Sequence, residues 1–484
     1  MAVTDSGGTH EKYESPLGGR YSSPAMQAIF TNENRYRLWR RLWAVLARAQ
    51  EQTGYPVTSA QAAELEEHAD VVDLARASAY ESESRHEVMA HIRAFGDVCP
   101  NAKPIIHLGA TSAYVMDNGD IMQMREALKL VERQLEFVIS ALAVRAAQYR
   151  ELPVLGYTHY QPAQLTTLGK RICLWISDLL SDLAEIRRIA DGLPLLGMKG
   201  ATGTQASLLA LAEGDAERVD ALDRKISEML GFKSTLIVTG QTYPRKIDSR
   251  VYAALAGIAE SATKFATDIR LLQHDGQLME PFGKSQVGSS AMPYKRNPMK
   301  CERICGLSRL LITTALNGNL TAGAQWLERT LDDSSNRRLA IPQAFLLADS
   351  ILHLAWEIAR GFEVGEAAIA RDVARELPFI ATEEILMQAV KSGGDRQQMH
   401  ERLRVHSIAV SKLLASGEGG NDLLERLRGD PAFKKVLELI PSELDPAAYT
   451  GLASRQVGSF LEREVRTAFS GNLGPDPWGR EITV

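Results

Sequence analysis

The sequence predicts an all-α protein built around long helices, and two observations carry that prediction. Long stretches contain no proline, the residue that breaks helix interiors, from 105 to 152 and again from 299 to 341. Apolar side chains recur at alternating steps of three and four residues from Ile121 to Leu142, which is the seam of a helix over 118–150. At about 1.5 Å per residue, that helix spans roughly 50 Å, more than one compact domain needs.

Further long helices follow the first along the chain. A second apolar stripe, from Ile247 to Leu272, predicts another rod. Stretches rich in Leu, Ile and Ala predict helices over 163–190, 299–324 and 343–360. Short segments such as 234–239 are the only ones that look extended.

The predicted rods divide the chain into three parts. Residues 1–111 indicate an N-terminal helical domain, 112–364 a central bundle of long helices, and 365–484 a C-terminal helical domain whose tail, 470–484, is expected to be loose. Rods of this length leave apolar faces for partner chains. An antiparallel scaffold protein is one interpretation, but the connections between rods are dense in Gly, His, Ser and Thr, which favours a functional site.

Composition narrows the function classes. The 484 residues carry 55 Lys and Arg against 60 Asp and Glu, a net charge of −5 without a basic block, so nucleic acid is not expected as a partner. Four cysteines fit a reducing compartment. The N-terminus has no apolar core of a signal peptide, and no membrane span is expected, so the sequence predicts a cytoplasmic protein.

Metal binding is not expected either. His86 and His91 are five residues apart, which points their rings roughly 140° apart on a helix, whereas the zincin pattern needs four. Cys301 and Cys305 have the spacing of a helical pair, but no further ligand stands nearby, and a buried pair is the better interpretation.

Several polar motifs interrupt the apolar pattern. The loop 288–298, GSSAMPYKRNP, is a flexible connector or a mobile lid over an anion. His159 stands among hydroxyl and amide groups and could exchange protons near neutral pH, although single histidines more often lie at the surface or in the core. Thr111 and Ser112 precede the first rod, where they suit either an N-cap or an anion site. The run 328–338 is either a solvated charge run or an anion clamp.

Together these motifs resemble the fumarase/aspartase superfamily. The loop 288–298 is similar to its signature, GSSxMPxKxNP, and HLGATS and THYQPAQ come in the superfamily's order. Within the superfamily, four blocks resemble the animal-type branch that cleaves adenylosuccinate: SPLGGRY at 15–21, RHEVMAH at 85–91, TGQTYPRK at 239–246 and ERTLDDSSNRR at 328–338.

The resemblance implies a fold, an assembly and an activity. It implies three helical domains around a long five-helix bundle, with four chains forming a twenty-helix core and three of them contributing to each active site. The implied reaction is β-elimination of fumarate from adenylosuccinate, giving AMP, and from SAICAR, giving AICAR, without metal or cofactor. Argininosuccinate cleavage, or a catalytically silent structural homologue, are the alternatives that the sequence leaves open.

The resemblance also assigns roles to residues. It implies that Ser289 takes the Cβ proton and that His159 protonates the leaving nitrogen, while Glu302 orients His159. The implied catalytic set is His86, His159, Ser289, Lys295 and Glu302. The implied substrate contacts are Arg20, Tyr21, Arg85, Glu87, Thr111, Ser112, Thr158, Gln241, Ser290, Asn297, Arg303, Arg329, Ser334 and Arg338.

Two residues depart from the branch's pattern. Glu87 stands where an aspartate is usual, so its carboxylate reaches one methylene further. Tyr160 stands where a phenylalanine is usual, and its hydroxyl needs a partner if the ring is buried.

Overall fold

The computed structural model describes residues 13–283, 286–438, 443–469 and 473–479, and most of them are helical. The N-terminal part consists of helices shorter than those of the central part. After a π-helical turn at Leu17–Tyr21 come α1 (Pro24–Ile29), α2 (Asn32–Gln52), α3 (Ser59–Glu67), α4 (Leu74–Ser84), α5 (Glu87–Val98) and a 3₁₀ turn at Lys103–Ile105.

The central part contains five long helices with short elements between them. Its elements in order are α6 (Ser112–Gln148), β1 (Pro153–Thr158), β2 (Gln161–Thr167), α7 (Leu168–Gly192), α8 (Ala206–Leu211), α9 (Ala216–Met229), α10 (Lys246–His274), β3 (Leu278–Met279), α11 (Met299–Gly323), α12 (Asp332–Gly361) and β4 (Glu363–Val364). Helices α6, α7, α10, α11 and α12 pack along one another as the bundle.

The C-terminal part returns to short helices. They are α13 (Glu366–Ile380), α14 (Thr382–Lys391), α15 (Arg396–Ser416), α16 (Leu423–Gly429), α17 (Lys434–Leu437), α18 (Ala453–Phe460) and α19 (Arg466–Ala468), with a 3₁₀ turn at Pro446–Tyr449 and a π-helical turn at Leu461–Val465. A separate small apolar core, which includes Ile385, Val410 and Phe433, holds α14 to α17 together.

The bundle core follows the predicted apolar seam. All seven seam residues of α6, from Ile121 to Leu142, are fully buried. Burial of this many apolar side chains is the main source of stability for such helices, because helix propensity alone contributes little. Some apolar side chains on the outer faces stay exposed, among them Leu174 on α7 and Leu316 and Leu320 on α11. These exposed faces fit the prediction of rods with surface left for partner chains.

Contacts between helix ends define two ends of the bundle. Helices α6, α10 and α12 begin side by side, since Asp117 on α6 contacts Arg245 just before α10, and Arg245 contacts Asp333 on α12. They also finish side by side, since Arg145 near the end of α6 donates to the backbone oxygen of Phe362 after α12. The first group is called the amino end here, and the second group the carboxyl end.

The structure corrects three expectations. The helix predicted over 163–190 begins at Leu168, because residues 161–167 pair with 153–158 in a β-hairpin. The helix predicted over 343–360 begins at Asp332 and runs through Pro342. In the tail, residues 473–479 are described, and Trp478 there is buried against His353 and Trp356 rather than loose.

Helix α12 also has the length and apolar composition of a membrane span. However, 72% of its most apolar window is buried inside the protein. That burial is typical of the core helix of a folded bundle.

Candidate active site

At the amino end, Glu87 joins α5 to α2 and α12. Its carboxylate accepts hydrogen bonds from the Tyr36 hydroxyl and from Arg338 Nη2, each at 2.9 Å, and Arg35 lies 3.6 Å away. Burial raises the pKa of Glu87, but the charges of Arg35 and Arg338 outweigh it and leave the pKa below its ordinary value. The longer side chain at this position is therefore used to reach Arg338 on α12.

The two residues before Glu87 lie exposed at the start of α5. Arg85 has φ 52°, a left-handed backbone that non-glycine residues rarely adopt. His86 is the N-cap of α5, and its Nδ1 accepts from the backbone N–H of Met89 at 3.3 Å. In the neutral ring, Nε2 therefore carries the proton and is the nitrogen that can face a ligand.

Thr111 and Ser112 lie half-buried where α6 begins. Thr111 occupies the N-cap position, but its side chain makes no capping hydrogen bond. In that turn the backbone N–H of Tyr114 donates to the Thr111 carbonyl at 2.9 Å, and the partial positive charge of the helix terminus favours an anion.

Gln241 and Arg329 form a pair beside them. The Arg329 Nη1 donates to the Gln241 side-chain oxygen at 2.6 Å, and the Gln241 backbone N–H donates to Glu328. Ser334 and Arg338, one turn apart on α12, line a small cavity of about 100 Å³ together with Arg35. The contacts of segment 328–338 therefore hold its charged side chains in defined positions.

Arg20 and Tyr21 lie apart from this group. They end the π-helical turn that packs against α12. Ser23, shortly after them, binds Asp349 near the middle of α12.

At the carboxyl end, His159 is at the tip of the β-hairpin. The hairpin has a two-residue turn, His159–Tyr160, and both residues have positive φ, 53° and 57°. This geometry matches a type I′ turn, in which Asn and Gly are normally preferred. A histidine and a tyrosine there store backbone strain, which is commonly found at functional sites. Thr158, His159 and Tyr160 are exposed, so the Tyr160 hydroxyl does not need a buried partner.

Ser289 lies on the loop between β3 and α11. Its Oγ accepts from the backbone N–H groups of Met292 at 3.1 Å and Ala291 at 3.4 Å. The loop is non-helical, as predicted. Its two sides meet where Asn297 Nδ2 donates to the Gly288 carbonyl at 2.8 Å, and a side chain at Gly288 would clash with the Lys295 carbonyl.

The base of this loop is fixed by buried polar contacts. Both oxygens of Glu280 accept backbone N–H groups, those of Lys300 and Cys301, at 3.0 Å each. The side chain of Gln273 bridges Glu280 and Arg296. The loop therefore extends from a rigid base, while Ser290 and Lys295 on it are exposed.

The remaining predicted residues of this end lie on the first turn of α11. Glu302 is exposed there, and no hydrogen bond joins it to His159 in the part of the chain that the structure describes. Arg303 is half-buried, and its Nη1 is buried without a hydrogen bond to any described residue. Such a buried cationic donor requires a partner from outside the described chain.

The predicted site is thus split between the two ends of one molecule. Helix α10 alone separates them by 29 residues, or about 43 Å. One nucleotide-sized ligand cannot reach both ends. A larger cavity of about 410 Å³ lies beside the hairpin, but its described lining includes none of the predicted site residues.

The structure also reveals residues that sequence reasoning missed. Tyr36 and Arg35 on α2 contact the carboxylate of Glu87. Arg245 and Arg337 are buried at the amino end of the bundle, beneath the predicted site residues. His107 is held by Trp43, whose Nε1 donates to its Nδ1 at 2.9 Å, and burial lowers the pKa of His107 to about 4. A charged residue in a helix looks the same in sequence whether it faces solvent or a buried partner, so these roles needed the fold.

Comparisons with known proteins show the family to which the chain belongs. A family model described as lyase matches residues 19–312, and one described as adenylosuccinate lyase C-terminus matches residues 378–460. The adenylosuccinate lyase of Saccharomyces cerevisiae is 47% identical over 95% of this chain and 96% of its own length. Those of Schizosaccharomyces pombe and Schistosoma mansoni are 44% and 43% identical with the same coverage.

Solved structures share the fold at lower identity. A fumarate lyase from Mesorhizobium sp. BNC1 superposes with a TM-score of 0.80 at 23% identity, covering 93% of this chain and 100% of that one. A 3-carboxy-cis,cis-muconate lactonizing enzyme from Pseudomonas putida gives 0.78 at 25% identity, covering 93% and 99%.

Proposed function

The chain belongs to the adenylosuccinate lyase family, and from that premise we propose that it releases fumarate from both adenylosuccinate and SAICAR. The products are AMP and AICAR, so the enzyme serves purine nucleotide biosynthesis. The observation that carries the proposal is the division of the predicted residues: apart from Arg20 and Tyr21, the nucleotide contacts gather at the amino end, and the proposed proton carriers lie at the carboxyl end.

The chemistry requires removal of a weakly acidic proton. The proton lies on the carbon beside a carboxylate, and its removal creates an intermediate with extra negative charge. The site must therefore accept the proton, stabilise the charge and protonate the leaving nitrogen as the C–N bond breaks.

Ser289 is the proposed base. A serine hydroxyl is a weak base unless its alkoxide is stabilised. The two backbone N–H groups that point at Ser289 Oγ can provide that stabilisation, and so can the ammonium group of Lys295 when the loop closes over substrate.

His159 is the proposed acid for the leaving nitrogen. The strained turn presents its ring at the hairpin tip, away from the rest of its own chain. Glu302 would set the ring's orientation, and since the two make no hydrogen bond within the described chain, the proposal has them meet across subunits.

Binding would be shared in the same way. Arg20, Tyr21, Arg329, Ser334 and Arg338 suit the nucleotide and its phosphate, because guanidinium and hydroxyl groups match phosphate oxygens. Thr158, Ser290, Lys295 and Asn297 suit the carboxylates that leave as fumarate.

We therefore propose a homotetramer in which each site combines the amino end of one chain with the carboxyl ends of others. The 43 Å separation along α10 and the exposed apolar side chains of α7 and α11 support this assembly. The proposed location is the cytoplasm, with no membrane or nucleic-acid partner.

The direct test is fumarate release by the purified protein. Adenylosuccinate and SAICAR are assayed beside argininosuccinate and malate, and absorbance or a coupled assay reports fumarate. Release from the first two substrates alone is the expected result. Release from argininosuccinate, or silence on all four by a folded tetramer, would overturn the proposal.

A further inference from the structure

A buried network of charges lies at the amino end of the bundle, beneath the predicted site residues there. It contains two arginines, four aspartates and a tyrosine: Arg245, Arg337, Asp117, Asp120, Asp248, Asp333 and Tyr243. All of them are nearly inaccessible except Asp120, whose side chain is 21% exposed and lines the small cavity beside Ser334 and Arg338.

Both guanidinium groups bind two carboxylates of this network. Arg337 binds Asp248 at 2.7 Å through Nε and Asp120 at 2.8 Å through Nη2. Arg245 donates to both carboxylate oxygens of Asp117, through Nη1 at 3.0 Å and Nη2 at 3.2 Å. Its Nε donates to Asp333 at 2.6 Å. Tyr243 donates to Asp248 at 2.6 Å. The fixed planar geometry of guanidinium makes these contacts directional.

Three segments that carry predicted substrate contacts have an anchor in the network. On α12, Asp333 and Arg337 are buried in the network, and the next residue in each case, Ser334 and Arg338, lines the cavity, which Arg337 also borders. One residue of helix turns the side chain by about 100°, so an inward anchor fixes the direction of its neighbour.

The other two segments are held in the same way. Gln241 is followed two residues later by Tyr243, whose backbone N–H donates to Asp117 at 2.9 Å. Thr111 and Ser112 open α6, which carries Asp117 and Asp120 on its second and third turns.

Stability alone does not account for such a network. Burying ion pairs in place of apolar side chains is often neutral or unfavourable, because desolvation offsets the attraction. Here four carboxyl groups face two guanidiniums, so the network is not a set of matched ion pairs. What the network does provide is a single relative placement of three segments.

We propose that Arg337 and Arg245 are positioning residues for the nucleotide half of the substrate. They set the spacing of the α6 start, Gln241 and the Ser334–Arg338 face through the carboxylates that they bind. The proposal rests on the proposed function, because it takes those segments as the nucleotide contacts. It predicts that loosening the network weakens nucleotide binding and leaves fumarate binding, at the other end of the chain, unchanged.

The test compares two ligands in the full-length enzyme. Arg337→Lys and Arg245→Lys keep the positive charge but remove the planar guanidinium that binds two carboxylates at once. Dissociation constants for AMP and for fumarate are measured separately by calorimetry, with KM and kcat for adenylosuccinate. We expect the AMP constant and KM to rise about tenfold or more, since small misplacements of binding groups cost this much. The fumarate constant should change less than about twofold, within the context-dependence of a remote substitution.

The matched control is Arg187→Lys. Arg187 also bridges two carboxylates on α6, Glu132 and Glu136, but it lies further along the bundle. It should leave both constants unchanged. Where an arginine variant fails to fold, Asp120→Asn removes the negative charge that faces Arg337 on the solvent-accessible side of the network, and the same two dissociation constants are compared.

The outcomes separate the two proposals. AMP and fumarate constants that stay equal to wild type, or shift together, in folded variants would overturn the positioning role. A wild-type enzyme that neither cleaves adenylosuccinate nor binds AMP would instead overturn the proposed function. A KM for adenylosuccinate that rises with the AMP constant, while the fumarate constant stays fixed, is the supporting result.

Discussion

The amino and carboxyl ends of the bundle hold their polar side chains in different ways. At the amino end, Arg338 contacts Glu87 and stands one residue from the buried Arg337 network. At the carboxyl end, His159 and Ser289 lie on a turn and a loop whose contacts are mainly with backbone groups. The difference indicates a rigid binding surface at the amino end. At the carboxyl end, the reactive groups stand on a turn and a loop that can move toward substrate.

Removing the proposed base is expected to have the largest effect. Ser289→Ala should lower kcat by a hundredfold or more, the magnitude typical of general acid–base catalysis, and leave the AMP dissociation constant unchanged. Steady-state kinetics and calorimetry measure the two quantities. Turnover near wild type would show that Ser289 is not the base. A weaker affinity for AMP would contradict the proposed division of binding and chemistry between the two ends.

The hairpin tip gives the next test. His159→Ala should also reduce kcat at least a hundredfold without altering tetramer mass or helix content. Tyr160→Phe is the matched control, because the Tyr160 hydroxyl is exposed and the usual residue there is Phe. The control should retain activity, and loss in both variants would mean that the turn is sensitive to any change.

The contact between Glu87 and Arg338 should have a smaller effect. Glu87→Gln keeps the shape but removes the charge that holds Arg338 and Arg35, and a rise of KM by several fold is expected with kcat nearly constant. Glu87→Asp, which restores the usual residue, tests whether the added methylene matters. A fall in kcat without a change in KM would place Glu87 in the chemistry instead of in binding.

A pH effect on stability is the smallest difference expected. Burial lowers the pKa of His91 to about 4, and its ring stacks on Tyr36 at 3.8 Å. Between pH 6.5 and about 4 the unfolded chain holds the proton and the folded chain does not, so stability falls as pH falls through this window. The slope per histidine is about 1.4 kcal/mol per pH unit.

Thermal unfolding at fixed protein concentration checks this slope. His91→Phe keeps the stacked ring and should flatten the decline below pH 6.5, whereas replacing the exposed His400 by Gln should not. If stability still falls as steeply with decreasing pH in His91→Phe, other groups cause the loss of stability below pH 6.5.

The sequence predicted the long helices well because two independent signals agreed. Absence of proline permits a rod, and a three-four apolar step requires one, so the seam of α6 is buried throughout. The hairpin was missed because 161–167 lacks clear alternation and runs directly into the apolar helix α7. The early start of α12 was missed because Pro342 was taken as its boundary.

The sequence allows candidate site residues to be named, but it does not give their geometry. The signature loop and the His159 motif could be identified from short blocks, because chemistry constrains their residues closely. The inward direction of Arg337 and Asp333 could not, because 328–338 reads equally well as a solvated charge run. Nor does sequence order reveal that Ser289 and Arg338 stand at opposite ends of one bundle.

The central claim is that each site combines opposite ends of different chains, and subunit mixing tests it most directly. His86→Asn, which keeps an N-cap acceptor, disables the amino end, and Ser289→Ala disables the carboxyl end. Each homotetramer should be nearly inactive, and the two proteins mixed under conditions of proven subunit exchange should recover a substantial share of wild-type kcat. Complete exchange without recovery would mean that both ends of one chain serve the same site, which would contradict the account.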